Sequence, residues 1–184
     1  MFEKLWKKGK EKEGAELNDQ EAQRRLEIEK IYNTIFTVEA VPGTSLASLI
    51  TSAGVTDVDS RITEENFPNP ERSLSSSARI VGSGRDSFVE DTVGYLHKDG
   101  QHPATVYDLL EFIPQCPESV SRLYALGSLL DEDDKKFCVK IEKKEGHIAL
   151  FLEQLGSETY RDGITHYYTP WPASLLAVKD TPTK

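Results

Sequence analysis

The residues of this chain that could do chemistry are few and scattered. Cys116 lies between prolines in IPQCPE, where the amides of a helix N-terminus could lower the pKa of a thiol and make it nucleophilic. His97, His102, His147 and His166 could act as general bases, each needing a Ser or Cys beside it and a third group to orient the ring. None of the four stands in a nucleophile elbow, a metal-ligand spacing or a phosphate loop. The bland reading of Cys116 is a small residue in a tight turn between two helices. A hydrolase or transferase of unfamiliar type, using His147 or His166 with nearby carboxylates, is therefore a rival expectation and not the leading one.

Carboxylates cluster twice. Asp57, Asp59, Glu64 and Glu65 invite a calcium argument, but an EF-hand loop needs Gly at its sixth position and a bidentate Glu at its twelfth. Counted from Asp57, those positions are Ile62 and Pro68. The run DEDD at 131–134 reads as a solvated turn, since carboxylate runs are common on surfaces. VGSGRDS at 81–87 could form a nest of amides near Arg85, yet it lacks the third glycine of a dinucleotide fingerprint and the Gly-Lys-Ser/Thr ending of a P-loop. No metal and no cofactor is expected.

The elements that must position these residues belong to a folded chain. Its 184 residues are 38% hydrophobic, with seven Phe, seven Tyr and two Trp to fill a core. Asp plus Glu number 31 against 22 Lys plus Arg, a net charge of −9 that repels a phosphate backbone, so nucleic acid is disfavoured as a partner. Two cysteines without ligand spacing fit a reducing compartment. No apolar run reaches the roughly 20 residues that span a bilayer, and the expected location is the cytoplasm.

The organisation reads as α+β: N-terminal helices, then a mixed unit of two helices packed on an antiparallel sheet. Residues 1–14 form a short amphipathic tail, 15–54 a helical segment, 55–87 a long polar loop or linker, and 88–184 the α+β unit. A helix is expected over 15–37, capped by Asn18 or Asp19, and a shorter one over VPGTSLASLITSAG, capped by Thr44 or Ser45 and closed by Gly54. Two prolines, a serine cluster and spaced glycines mark 55–87 as loop, with a short strand conceivable at 78–81. Loose alternation in SFVEDTVGYLH suggests a strand. PATVYDLLEFI and PESVSRLYALGSLL suggest helices, each with proline at its first position. FCVKIEKKEGHIALFLEQL is the clearest hairpin, and YRDGITHYYT suggests another around Asp162-Gly163. ASLLAV reads as a strand or a helical turn. Helix–turn–helix–hairpin over 103–153 is also the element order of a winged-helix DNA-binding unit, but the second of those helices carries only Arg122 among basic residues and DEDD follows it.

What remains is surface for company. Phe2, Leu5 and Trp6 fall at i, i+3 and i+4, one apolar patch if helical, among five Lys and three Glu in residues 1–13. That tail is +2, so the other 171 residues carry −11. Gly9 and Gly14 limit such a helix to little more than two turns, which makes membrane binding weak and favours a groove on a protein. THYYTPWP gathers His166, Tyr167, Tyr168 and Trp171, and Tyr168 and Trp171 would give rigid amphipathic contact surface if exposed. The expectation is a non-enzymatic adaptor or assembly subunit that binds another protein. The alternatives are a small acidic inhibitor or immunity protein, the unfamiliar enzyme, and a peripheral membrane protein.

Overall fold

A computed structural model describes residues 22, 23, 26, 29–70, 75–82, 87–116, 118, 120–160, 163–169 and 173–180, and the chain divides into two compact units, Met1–Thr34 and Ile35–Lys184. In the first unit residues 22, 23, 26 and 29–32 are helical, and Thr34 Oγ1 donates to the Lys30 carbonyl at 2.8 Å. The helix expected over 15–37 thus ends by Tyr32. Ile35–Glu39 is instead a strand, β1, because Ile, Phe, Thr and Val in succession favour a pleated backbone over a helix.

The second unit continues with α1 (Leu46–Ser52), β2 (Asp57–Val58), β3 (Ser75–Gly82), α2 (Val89–Lys98), β4 (His102–Pro103) and α3 (Val106–Phe112). A 3-10 turn at Ile113–Gln115 leads to β5 (Arg122–Glu132), β6 (Lys135–Lys144), β7 (His147–Gln154), β8 (Gly156–Thr159), β9 (Thr165–Tyr168) and β10 (Ser174–Asp180). The class is α+β. The main sheet has strand order β1-β3-β10-β5-β6-β7-β2, antiparallel except at β10–β5 and β7–β2, while β8 and β9 make a separate ribbon.

Register sorts the sheet into two faces. Ala78, Ile80, Leu176, Val178, Leu123, Ala125, Val139, Ile141, Leu150 and Leu152 point one way and are all buried. Phe36 shares that face, opposite Ala78, and meets Phe112 of α3 edge-on with ring centroids 4.9 Å apart. α1 packs on α3 in turn. The opposite face holds Tyr124, Cys138 and Leu175, which join Val89, Leu126, Leu155 and Ala173 in a second buried cluster flanked by Val93 and Tyr167. Farther along this face the strands carry a polar ladder: Arg122 Nε to Glu142 at 3.0 Å, Lys140 Nζ to Glu153 at 2.5 Å, and the Tyr124 hydroxyl donating to Glu153 at 3.2 Å.

The two halves of the sheet meet where β5 departs from regular pairing. Ala125 faces Val139 but Leu129 faces Cys138, so Leu126, Gly127 and Ser128 bulge out of the ladder. The bulge leaves room on the flank of β10 for β4, whose His102 and Pro103 pair with Val178 and Ala177. Gly127 N–H donates to the Ala104 carbonyl at 2.9 Å, and Val106 N–H, at the start of α3, donates to Ser128 Oγ at 2.7 Å. Only glycine fits. A Cβ at position 127 would lie 2.5 Å from the Pro103 carbonyl oxygen and 2.8 Å from that of Ala104, both backbone atoms.

Several expected elements change type. SFVEDTVGYLH forms helix α2, with Val89, Val93 and Leu96 at helical spacing and Glu90 and Asp91 complementing the positive end of its dipole. The helix expected from Pro117 is strand β5. Leu123, Tyr124, Ala125 and Leu126 are buried on both faces of the sheet, which produces a continuous apolar run that mimics a helix. The helix-turn-helix order at 103–153 is thereby absent. Pro103 is not the first residue of α3; Thr105 caps it, in a capping box with Asp108. The segment 55–87, expected as a long polar loop, contains β2 and the eight-residue β3, and buries Ile62 and Phe67. The hairpin of β6 and β7 is as expected, turning at Glu145 and Gly146 with φ of 51° and 81°. So is α1, where Ser45 accepts from the Ser48 amide and Gly54 closes with φ of 69°.

The close approach at Gly127 predicts a cost of at least about 1–3 kcal/mol for Gly127→Ala in urea unfolding. Gly94, in α2 with open space around it, predicts the opposite sign, a gain of about 0.5–1 kcal/mol for Gly94→Ala. Equal midpoints for the two variants would contradict this account.

A second prediction concerns acid. Arg61 donates to both carboxylate oxygens of Asp59 at 3.0 and 2.8 Å and to Glu132 at 2.8 Å, tying the β2 edge to the β5–β6 turn. These bonds hold the Asp59 carboxyl down at about 2, below the usual 3.8. The pair's stabilisation, about 1 kcal/mol or less for partly exposed partners, is therefore complete above the unfolded value and lost as pH falls toward the folded one. The difference in urea midpoint between wild type and Asp59→Asn should be constant from about pH 5 to 7 and shrink steadily as pH falls from about 4 through about 2.

Candidate functional site

β8 and β9 form a ribbon because alternating residues on either side of a glycine-containing turn can pair. Gly163, with φ of 82°, donates to the Tyr160 carbonyl at 3.0 Å, and Tyr160 N–H donates to the Ile164 carbonyl at 2.9 Å. Pairing then runs Thr159 with Thr165, Glu158 with His166, Ser157 with Tyr167 and Gly156 with Tyr168. The expected hairpin is present, with Asp162 outside the described residues.

Its two faces differ in kind. One carries Ser157, Thr159, Thr165 and Tyr167, and Tyr167 packs on the Tyr124–Cys138–Leu175 cluster with the Lys136 ammonium 5.2 Å from its ring centroid. The other carries Glu158, Tyr160, His166 and Tyr168. Phe88, the residue before α2, is bridged to Tyr168, and its ring lies 4.9 Å from Tyr168, 5.0 Å from His166 and 6.4 Å from Tyr160. Tyr160 and His166 meet edge-on at 5.2 Å. The Tyr168 hydroxyl donates to Glu158, and this bond to a carboxylate raises the phenol above its ordinary pKa.

These rings pack on each other, each within 6.4 Å of a neighbour. Their outer surface reaches solvent: Tyr160 is 45% exposed and Ile164, at the tip of the ribbon, 53%. With a carboxylate at its edge, the platform suits stacking by a cationic or apolar side chain, worth about 0.5–1 kcal/mol per exposed cation–π contact. Tyr167 clamps the ribbon to the core from below, so the platform is presented without loss of backbone freedom on contact.

Of the residues singled out from sequence, Tyr168 and His166 are brought together here. Trp171, Phe2, Leu5 and Trp6 lie outside the described residues, as does most of VGSGRDS. Phe88 is a member that sequence reading missed, 80 positions from Tyr168 and inside a segment read as strand. Tyr160 and Glu158 were legible in principle, from their alternation opposite His166 and Tyr168.

The other candidates are structural. Asp133 and Asp134 make the β5–β6 turn with φ of 51° and 60°, Asp131 pairs with Lys136 at 2.7 Å and Glu132 with Arg61. Glu64 accepts from the Leu46 amide at 2.8 Å, satisfying the first turn of α1. Among the described residues no group of three or more His, Cys, Asp or Glu could hold a metal ion, and no helix is long and apolar enough to cross a membrane. His97, His102, His147 and His166 sit on α2, β4, β7 and β9. A cleft of about 200 Å³ beside Asn66, Phe67, Thr105, Ser128 and Leu129 contains no histidine, and its Thr105 and Ser128 hydroxyls are engaged with Asp108 and the Val106 amide.

Cys116 follows the 3-10 turn and does not begin a helix. Burial raises its pKa, as it does that of Cys138, pushed up to about 12, with Glu153 adding to the effect. Both thiols should therefore react with a disulfide reagent at mildly alkaline pH at least about 100-fold more slowly than in urea. Unfolded-like reactivity at Cys116 would restore it as a candidate nucleophile. Comparisons with protein families, with curated proteins and with solved structures find no match to this chain.

Proposed function

We propose that the chain is a protein-binding adaptor or assembly subunit, and that it docks a basic partner on the aromatic face of the β8–β9 ribbon. The observation that carries this reading is the Phe88–Tyr160–His166–Tyr168 platform, ordered by ring packing yet open to solvent. A rigid aromatic surface has little rotamer entropy to lose on contact, which is why such residues dominate binding energy at interfaces. Charge gives the partner's sign. The chain carries −9, and Glu158 on the platform with Glu90 and Asp91 just beyond Phe88 places negative charge around the rings. Attraction of this kind acts mainly on the association rate and weakens with salt. A reducing location is supported by two buried thiols in place of a disulfide. The Phe2, Leu5 and Trp6 patch is proposed as a second docking element, supported by its spacing alone.

The test uses the intact chain bearing a photo-crosslinker at position 160, with position 118 as a distant control. Irradiation in a lysate of the source should give a basic protein adduct at 160 and not at 118. That adduct should fall at least about tenfold in the Tyr168→Ser, Phe88→Ser variant and in high salt. Deletion of residues 1–13 reports separately on the tail. Equal adducts at both positions, or an acidic partner, would reject the proposed face.

A further inference from the structure

We propose that β8 is the acceptor edge for an extended, basic segment of the partner, which adds to the ribbon as a third strand. This rests on the reading that the ribbon docks a protein, and goes beyond it by naming the backbone that binds and the chemistry of the segment.

The argument starts from which amides are already paired. In an antiparallel ribbon hydrogen-bonded and non-hydrogen-bonded pairs alternate. Tyr160 donates to Ile164, so Tyr160–Ile164 is a hydrogen-bonded pair, and stepping back along the register makes Glu158–His166 and Gly156–Tyr168 the next two. Ser157 and Thr159 are then the non-hydrogen-bonded positions, in keeping with the 2.9 Å contact between the Thr159 and Thr165 hydroxyls. Their N–H and C=O groups point away from β9.

Nothing among the described residues covers that side. β9 is closed on its far side, where Thr169 N–H donates to the Ser87 carbonyl at 3.0 Å and Phe88 bridges Tyr168. Among the described residues β8 pairs only with β9, and all four of its residues are exposed. Proteins usually guard such an edge with lysine, proline or a bulge. β8, with the sequence GSET, has none of these and carries one charge, the Glu158 carboxylate.

Charge selects the occupant. A second copy of this chain pairing β8 to β8 would bring two Glu158 side chains onto adjacent strands and join two bodies of −9 each, so self-pairing is opposed. An incoming strand with Lys or Arg on the platform side meets Glu158 across the new ladder, and its cationic side chains reach the exposed ring of Tyr160. Ser157 and Thr159 face the other way and ask only for small or polar neighbours there. The recognised segment is therefore extended, free of proline at the paired positions, and basic at alternate residues.

A phage library of random 12-residue peptides, panned against the full chain, tests this without knowledge of the natural partner. Enriched peptides should carry Lys or Arg two positions apart. N-methylation of one set of alternate amides in a selected peptide should weaken binding at least about tenfold, while methylation of the other set changes it little. Thr159→Pro should reproduce the loss, and Glu158→Lys should shift selection toward acidic peptides. Insensitivity to N-methylation in both registers, selection of helical or acidic peptides, or an unproductive library would overturn the strand-addition proposal. If Tyr168→Ser, Phe88→Ser abolishes the crosslink at position 160 while the peptide outcomes fail, the docking face stands and the edge does not. Concentration-dependent dimerisation of the wild type that Thr159→Pro removes would replace the basic segment with a second copy.

Discussion

The contact between the β5 bulge and the β4–α3 junction fixes where the main sheet meets the helices packed on it. Without the three-residue departure at Leu126–Ser128, β5 would run along the flank of β10 and leave β4 no place to pair. The bulge also supplies the groups the junction lacks. Gly127 N–H satisfies Ala104, and Ser128 Oγ satisfies the first amide of a seven-residue helix too short to be stable by itself. A buried amide left unpaired there costs about 1–3 kcal/mol, a large part of the net stability of a domain. Everything packed on α3, including α1 and the Phe36–Phe112 contact, depends on where that junction sits.

Where the sequence could be read, it was because one signal acted alone. The β6–β7 hairpin combines apolar runs with a Glu145-Gly146 turn, and α1 has a cap at Ser45 and a left-handed glycine at its end. Reading failed where burial erased the pattern. Tyr124 and Leu126 are buried on one face of β5 while Leu123 and Ala125 are buried on the other, so period-2 alternation had nothing polar to alternate with. Of β3 the sequence suggests a strand only over 78–81; the three serines and the glycine around it look like linker, and pairing to β1 and β10 on both sides extends the strand to eight residues. In α2 the loose alternation of SFVEDTVGYLH suggests a strand, while the 89–93–96 spacing of the helix is carried by only three apolar residues.

The candidate site shows the same division. Tyr168 was legible as part of an aromatic stretch, and the hairpin that carries it was legible from Asp162-Gly163. Phe88 was not, since tertiary structure alone brings it beneath Tyr160, His166 and Tyr168. The apparently chemical residues resolved into supports: the acidic run into a turn and two ion pairs, Glu64 into a helix cap, and Cys138 into core. A chain rich in carboxylates can direct many of them to backbone and arginine partners and still present a negative face.

The position of β10 has a kinetic meaning. It lies between β3 and β5 and, among the described residues, is the only strand linking the β1–β3 half of the sheet to the β5–β6–β7 half, yet Ser76 of β3 and Asp180 of β10, which bond to each other, are 104 positions apart in the chain. The β5–β6–β7 meander can assemble from neighbours, whereas β3 must wait with one edge open until β10 arrives. Loop-closure entropy is then lost before most of the long-range pairing can repay it, which places such a topology among the slower folders, on the order of milliseconds to seconds. During that interval the unfilled edges of β3 and β5 are the surfaces most exposed to mispairing.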